Sequence, residues 1–171
     1  MSNALVVIPT YNEIENIELL LHDIISLQQD FDVLVVDDNS PDGTSAVVEK
    51  LIEVYPDTLF LIKRTSKLGL GTAYITGFKW ALGKQYDFIF EMDADFSHNP
   101  TDLLRLYSAC KNEDCDMAIG SRYVTGVNVV NWPMHRVLLS WGASKYVRWI
   151  TGMKIDDTTA GFICYKREVL E

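Results

Sequence analysis

The sequence predicts an α/β fold, a doubly wound and mostly parallel sheet with helices on both faces. Three observations predict it. Short apolar runs rich in β-branched residues, such as Val33-Leu34-Val35-Val36, recur without polar alternation, and stretches with helical spacing of about 10–15 residues follow them. Loops rich in acids and glycine fall just after these runs, where open parallel sheets hold their ligands. The chain has 171 residues and is 48% hydrophobic, enough for one domain with a real core.

The first strand is expected from Leu5 to Ile8, stopped by Pro9. Asn12 should cap the next helix, with Glu15 completing a capping box and Ile14, Ile17, Leu20, Leu21 and Ile24 forming the apolar stripe. Val33 to Val36 is the second strand, Asp37 to Gly43 a loop, and Thr44 to Val54 a helix that ends before Pro56. Leu59-Phe60-Leu61-Ile62 is the third strand, leading through Lys67-Leu68-Gly69-Leu70-Gly71 into an amphipathic helix that closes near Gly83. The fourth is Phe88-Ile89-Phe90, followed by an acidic turn and a helix from Pro100 to Lys111, and the fifth is Met117-Ala118-Ile119. After Gly120 the rhythm changes. Residues 121–133 are rich in Gly, Asn and Val, and Arg136 to Ile150 forms a helix with Trp141, Tyr146 and Trp149 beside Arg136, Lys145 and Arg148. Such a mixture suits a membrane-interface helix, but a packed helix with snorkelling basic side chains is the favoured expectation. Lys166 to Glu171 reads as the first turn of a further helix, so residues 1–171 are expected to be a single domain cut at its C-terminus.

Composition excludes some partners. A net charge of −9 argues against a nucleic-acid groove, which needs clustered Lys and Arg to neutralise phosphates. Cys110, Cys115 and Cys164 have neither zinc-site nor disulfide-framework spacing and are expected to be ordinary buried cytosolic thiols. No apolar run approaches the roughly 20 residues that cross a bilayer, and the N-terminus lacks signal-peptide architecture. The expected location is cytoplasmic, peripheral to a membrane or as the soluble part of an anchored chain.

The chemistry centres on Asp93 and Asp95, two residues apart where an apolar strand ends. If strand alternation continued, both would point to one side and could hold a divalent cation through hard oxygen ligands, leaving positions for diphosphate oxygens. Taken alone, an Asp-x-Asp is common in solvated loops. Pro9-Thr10-Tyr11-Asn12-Glu13 lies at the first strand end, where Tyr11 could meet a base or ribose and Glu13 could accept hydrogen bonds from it. The Asp37 to Gly43 loop offers carboxylates without neighbouring cations. Its acids are suited to accepting from base N–H groups or ribose hydroxyls, with the diphosphate charge met by metal and by Lys67 or Arg122. The Lys67 to Gly71 loop fits neither G-x-G-x-x-G nor a Walker pattern.

Together these segments carry a resemblance. P-T-Y-N-E at 9–13, V-V-D-D-N-S-P-D-G-T at 35–44, K-L-G-L-G-T-A at 67–73, M-D-A-D-F-S-H at 92–98, G-S-R-Y at 120–123 and N-W-P at 131–133 resemble, in order, the signatures of family 2 glycosyltransferases. Within that family they are similar to the dolichol-phosphate, or polyprenol-phosphate, mannosyltransferases. The resemblance implies a GT-A, Rossmann-like domain that moves mannose from GDP-mannose to a polyprenyl phosphate with inversion, using Mg²⁺ or Mn²⁺ and meeting a membrane surface through its acceptor.

Carried over by position, it implies that Pro9, Tyr11, Glu13, Asp37, Asp38, Lys67 and Ala94 bind the nucleotide sugar. Asp93 and Asp95 would hold the metal, with Ser97 where some relatives place a Gln ligand. Arg122, Arg136 and Lys166 would face the acceptor phosphate, Arg122 also the donor diphosphate. Asp157 lies in D-T-T-A-G-F, which resembles a family D-x-T-x-G-F segment, although Ile163 replaces the Arg that many members place next. Asp157, or Asp156, is the candidate base for a hydroxyl acceptor. With a lipid phosphate, Asp157 would orient its neighbours instead.

Three rival readings remain at this level. The same fold could move glucose or another sugar from a UDP- or GDP-linked donor to a lipid phosphate or a glycan. An Asp37-Asp38 phospho-receiver leaves Asp93, Asp95 and the basic residues without a role. The third is a fragment that binds nucleotide only.

Overall fold

The computed structural model describes residues 2–112, 115–121, 134–152, 155, 157 and 160–171, without the side chains of residues 134–141 and 144. Arg122 and Asp156 lie outside the described residues, as does the side chain of Arg136. The elements run β1 (Ala4–Thr10), α1 (Ile17–Ile25), β2 (Asp32–Asp37), α2 (Thr44–Val54), β3 (Leu59–Lys63), α3 (Leu70–Leu82), β4 (Phe88–Glu91), α4 (Asp102–Asn112), β5 (Met117–Ile119), α5 (Met134–Thr151), β6 (Ile163–Lys166) and α6 (Arg167–Leu170). Among the described residues they form one sheet in the order β3-β2-β1-β4-β6-β5. β1 pairs in parallel with β2 and β4, and β2 with β3.

Strand alternation divides the core between the two faces. Ala4, Val6, Ile8, Val33 and Val35 pack with Ile17, Leu20 and Ile24 of α1, Val48 of α2 and Leu103 of α4. Leu5, Val7, Leu34, Val36 and Ile89 pack on the opposite face with Ala73, Tyr74 and Ala81 of α3. Strands buried on both faces read as unbroken apolar runs because neither side meets water. α3 approaches so closely that a Cβ placed on Gly77 would lie 2.3 Å from Val7 Cγ1.

The sheet is mostly parallel, as expected, with one strand that the sequence reading did not anticipate: β6 enters antiparallel between β4 and β5, with Phe90 opposite Cys164. β5 therefore forms the edge. The expected capping box does not form. Asn12 adopts φ 62°, α1 starts only at Ile17, and Ile14 is exposed. The loop after β2 and the first residue of α2 supply other acceptors: the amides of Asn12, Glu13 and Ile14 donate to Ser40 Oγ (3.1 Å), Thr44 Oγ1 (3.0 Å) and Asp42 Oδ2 (3.1 Å). A tertiary partner has replaced the local one.

The expectation of a packed α5 also fails where its side chains are described, since Trp149 is 81% exposed and Tyr146 and Ile150 are exposed too. Among the described residues no helix is long and apolar enough to cross a membrane. Cys110 and Cys164 are buried free thiols and Cys115 is half-buried.

A buried acid marks the start of β2. Asp32 is 4% exposed and accepts from the Tyr86 hydroxyl at 2.9 Å; burial raises its pKa, against the hydrogen bond that lowers it. The folded protein therefore binds this proton more tightly than the unfolded chain, and stability falls as pH rises from the ordinary carboxylate value through the raised one. Asp32→Asn keeps an acceptor for Tyr86 and cannot ionise. Its melting temperature is expected to match wild type near about pH 3.5 and exceed it at pH 7, the gap widening between. Thermal melts across that range check this; a constant gap would rule out the titration.

Candidate functional site

The chain winds outward from β1 to β3 and then crosses back to β4, so β1 and β4 are neighbours whose following loops diverge. Ligands collect outside the carboxyl ends of strands at such a switch point. A pocket of about 230 Å³ lies there. Pro9, Tyr11 and Glu13 line it from the end of β1, Asp38 from the end of β2, and Lys67 and Gly69 from the β3–α3 connection. Leu70 and Ala73 of α3 join them, and Asp93, Ala94 and Asp95 complete the wall beyond β4. Six of the seven residues expected to bind a nucleotide sugar, and both acids of the Asp-x-Asp pair, thus meet in one cavity.

The pair reaches the pocket by a different route from the one expected. β4 stops at Glu91, and both acids lie on the irregular turn that follows. Within that turn Phe96 has φ 55°, a left-handed conformation costing on the order of 1–3 kcal/mol for a non-glycine residue. Ala94 is buried between the acids. Asp93 Oδ1 accepts from the Tyr74 hydroxyl at 2.9 Å, and Oδ2 lies 2.9 Å from where a Cβ on Gly161 would stand. Asp93 is thereby held between α3 and the segment entering β6. Asp95 is exposed, and its Oδ1 accepts from the Ser97 amide at 2.9 Å.

On the opposite wall, Asp38 is not the cation-free acid that was expected. Its Oδ1 accepts from Arg64 Nε and its Oδ2 from the Leu68 amide at 3.2 Å, and the Arg64 and Asp38 side chains are only 8% and 7% exposed. Arg64 also donates to Thr72 Oγ1 (2.8 Å) and to the Gly69 carbonyl (3.2 Å), tying the loop and the first turn of α3 to the end of β2. Gly69 has φ 97°, which explains a glycine at that point. Lys67 Nζ rests 3.8 Å above the centre of the Tyr11 ring, a cation–π contact at the mouth of the pocket.

Burial, and then the neighbouring acids, raise the proton affinity of two carboxyls here. Burial pushes the Glu13 carboxyl up; the Asn16 side-chain amide pulls it down, while the charges of Asp95, Asp42 and Asp93 add to the rise. Burial also raises Glu91, against a hydrogen bond from Tyr165 and with the charge of Asp93. Among the described residues no group of three His, Cys, Asp or Glu side chains could enclose a metal ion. Two carboxylates on a half-open wall nevertheless suit Mg²⁺ or Mn²⁺, hard ions often held by one or two carboxylates together with substrate phosphates and water. The pair fits such an ion; it does not build a closed cage.

Other expected residues stand elsewhere. The Asp37 carboxylate accepts from Thr10 Oγ1 (2.8 Å) and from the Ser40 amide (3.0 Å) and hydroxyl (2.5 Å), bracing the loop below the pocket instead of lining it. Ser97 meets the pair through its backbone amide and is not part of the lining. Asp157 is buried and is not one of the residues that line the pocket. Lys166 is a correction: β6 runs antiparallel, so Lys166 pairs with Phe88 at the start of β4, the far end of the sheet, with Asp116 4.0 Å away. Arg167 is there too, donating to the carbonyls of Leu82 and Lys84, both at 2.7 Å. Neither side chain is brought to the pocket. Sequence reasoning assigned no role to Arg64, Tyr74 or Gly161; the position of Tyr74, directly after K-L-G-L-G-T-A, and the place of Gly161 in D-T-T-A-G-F were the signals that could have found two of them.

The profile of the family described as glycosyl transferase family 2 matches residues 5–171. The polyprenol monophosphomannose synthase of Mycolicibacterium smegmatis is 49% identical over 98% of this chain and 63% of its own length. The undecaprenyl-phosphate mannosyltransferase of Micrococcus luteus is 45% identical over 98% and 68%, and the dolichol-phosphate mannosyltransferase of Pyrococcus furiosus 44% over 97% and 47%. The chain thus spans roughly half to two thirds of these relatives. Among solved structures, the mannosyltransferase PcManGT from Pyrobaculum calidifontis in complex with GDP-Man and Mn²⁺ superposes with a TM-score of 0.70 at 22% identity, covering 98% of this chain and 45% of that one. That similarity establishes the α/β, GT-A-like fold.

Proposed function

The chain belongs to glycosyl transferase family 2, and from that premise we propose that it moves a mannosyl group from GDP-mannose to a polyprenyl phosphate with inversion. The observation that carries the reading is the convergence of Asp38, Tyr11 and the Asp93–Asp95 pair on one pocket at the switch point. Relatives named for mannosyl transfer to polyprenol phosphates support the sugar and the acceptor; a fold neighbour holding GDP-Man and Mn²⁺ supports the donor and the metal.

Tyr11, Glu13 and Asp38 would receive the nucleoside, and Lys67 would approach the diphosphate. A divalent ion held by Asp95 with Asp93 would supply Lewis-acid neutralisation of the diphosphate charge. Arg122 and Arg136 would hold the acceptor phosphate. Asp157 would orient neighbouring groups. A phosphomonoester has a second pKa of about 6 and is largely ionised at pH 7, so its oxygen needs no base to attack the anomeric carbon. The new C–O bond forms on one face as the bond to the diphosphate breaks on the other, and GDP departs with the electron pair.

The test supplies labelled GDP-mannose or UDP-glucose with polyprenyl phosphate and counts label in the lipid extract. Label from GDP-mannose alone is expected, and label from UDP-glucose alone overturns the donor. GDP binding without lipid labelling would mark this stretch as a nucleotide-binding part, a second reading favoured by its partial span of the relatives.

A further inference from the structure

The two walls of the pocket hold their acids in chemically different ways. Asp38 is paired with a guanidinium, which cancels its charge. Asp93 accepts from Tyr74, a phenol that is neutral at pH 7 and fixes a carboxylate without cancelling its charge. Tyr74 is itself immobilised: it is 6% exposed and its ring stacks on Phe78 at 6.1 Å between centroids, which meets Tyr165 edge-on at 5.7 Å. Across the carboxylate, Gly161 leaves room for Oδ2 that any Cβ would take. Asp93 also lies within electrostatic reach of Glu13 and Glu91, whose charges would drive a loose carboxylate toward solvent. A side chain with one oxygen fixed by Tyr74 against that repulsion, and with room for the other beside Gly161, is a preorganised ligand.

We propose that Tyr74 is a positioning residue that holds Asp93 in its cation-binding orientation, so that it governs metal affinity and leaves recognition of the nucleoside to the Asp38 wall. This rests on the reading of the pocket as a metal–nucleotide site. Groups that orient a metal ligand change metal affinity about 10–100-fold when removed. The phenol has the right chemistry: it donates one hydrogen bond and leaves the anion available to a cation.

The experiment measures GDP binding by calorimetry without metal, and the Mn²⁺ concentration that half-saturates binding at fixed GDP, for wild type, Tyr74→Phe and Arg64→Lys. Tyr74→Phe is expected to raise the Mn²⁺ half-saturation about 10–100-fold with metal-free GDP binding unchanged. Arg64→Lys should weaken metal-free GDP binding and leave the Mn²⁺ half-saturation unchanged. An unchanged Mn²⁺ half-saturation in Tyr74→Phe, or an equal loss of metal-free binding, overturns the proposal while leaving the function standing. Absence of Mn²⁺-dependent GDP binding in wild type overturns the function reading and the inference with it. Should Tyr74→Phe fail to fold, Gly161→Ala presses on the same carboxylate from the other side and must give the same Mn²⁺ shift.

Discussion

Asp95→Ala is expected to reduce mannosyl transfer by about 10²–10³-fold and to abolish metal-dependent stabilisation by GDP. Lewis-acid neutralisation of a leaving diphosphate is worth several kcal/mol, and each 1.36 kcal/mol is tenfold in rate, so about 3–4 kcal/mol sets that range. The fold should survive. Asp95 is exposed on a turn, where a substitution changes stability by only about 0.5 kcal/mol, and the hydrogen bond it gives up is the single one from the Ser97 amide. Asp95→Asn sharpens the test, because it keeps an acceptor for that amide but removes the charge. Initial rates and metal-free melting temperatures decide together. Full activity in both variants would falsify the assignment of the cation to this turn; lost activity with an unchanged metal-free melt would support it.

Arg64→Met should cause the largest loss of stability of any substitution at the pocket, about 3–5 kcal/mol, the cost of leaving a buried charge without its partner. Against a typical domain stability of about 5–15 kcal/mol, this is a large share. Here the ion pair is almost fully buried, and the same guanidinium ties Thr72 and Gly69 to the end of β2. Arg64→Lys should recover part of the loss, since an ammonium restores the charge but cannot reach three acceptors with one planar fork. The double variant Arg64→Met with Asp38→Leu should be far less destabilised than Arg64→Met alone, because it removes the stranded charge as well. Urea unfolding of the four proteins measures this. A loss below about 1 kcal/mol for Arg64→Met would mean that the pair behaves as a surface contact.

The acid turn shows how far local reading reaches. That Asp93 and Asp95 follow a buried strand is visible in Phe88-Ile89-Phe90, but their shared orientation was expected from strand alternation and instead comes from a turn with Phe96 in the left-handed region. Asn12 teaches the same lesson in reverse. Its spacing to Glu15 is a proper capping signal, yet the amides of Asn12, Glu13 and Ile14 are taken by Ser40, Thr44 and Asp42, which lie after β2. Lys166 was assigned to the acceptor by its place in the chain, and the reversed direction of β6 carries it to the wrong end of the sheet.

By itself the sequence determined the βα alternation, the two-sided core and the cluster of acidic loops at strand ends, because burial imposes a period on each element that neighbouring residues carry. Only the tertiary structure decided which polar groups meet: Arg64 with Asp38, Tyr74 and Gly161 with Asp93, and β6 between β4 and β5. Those partners lie many residues apart along the chain. Their pairing is set by strand order and direction, and so depends on how the whole sheet closes.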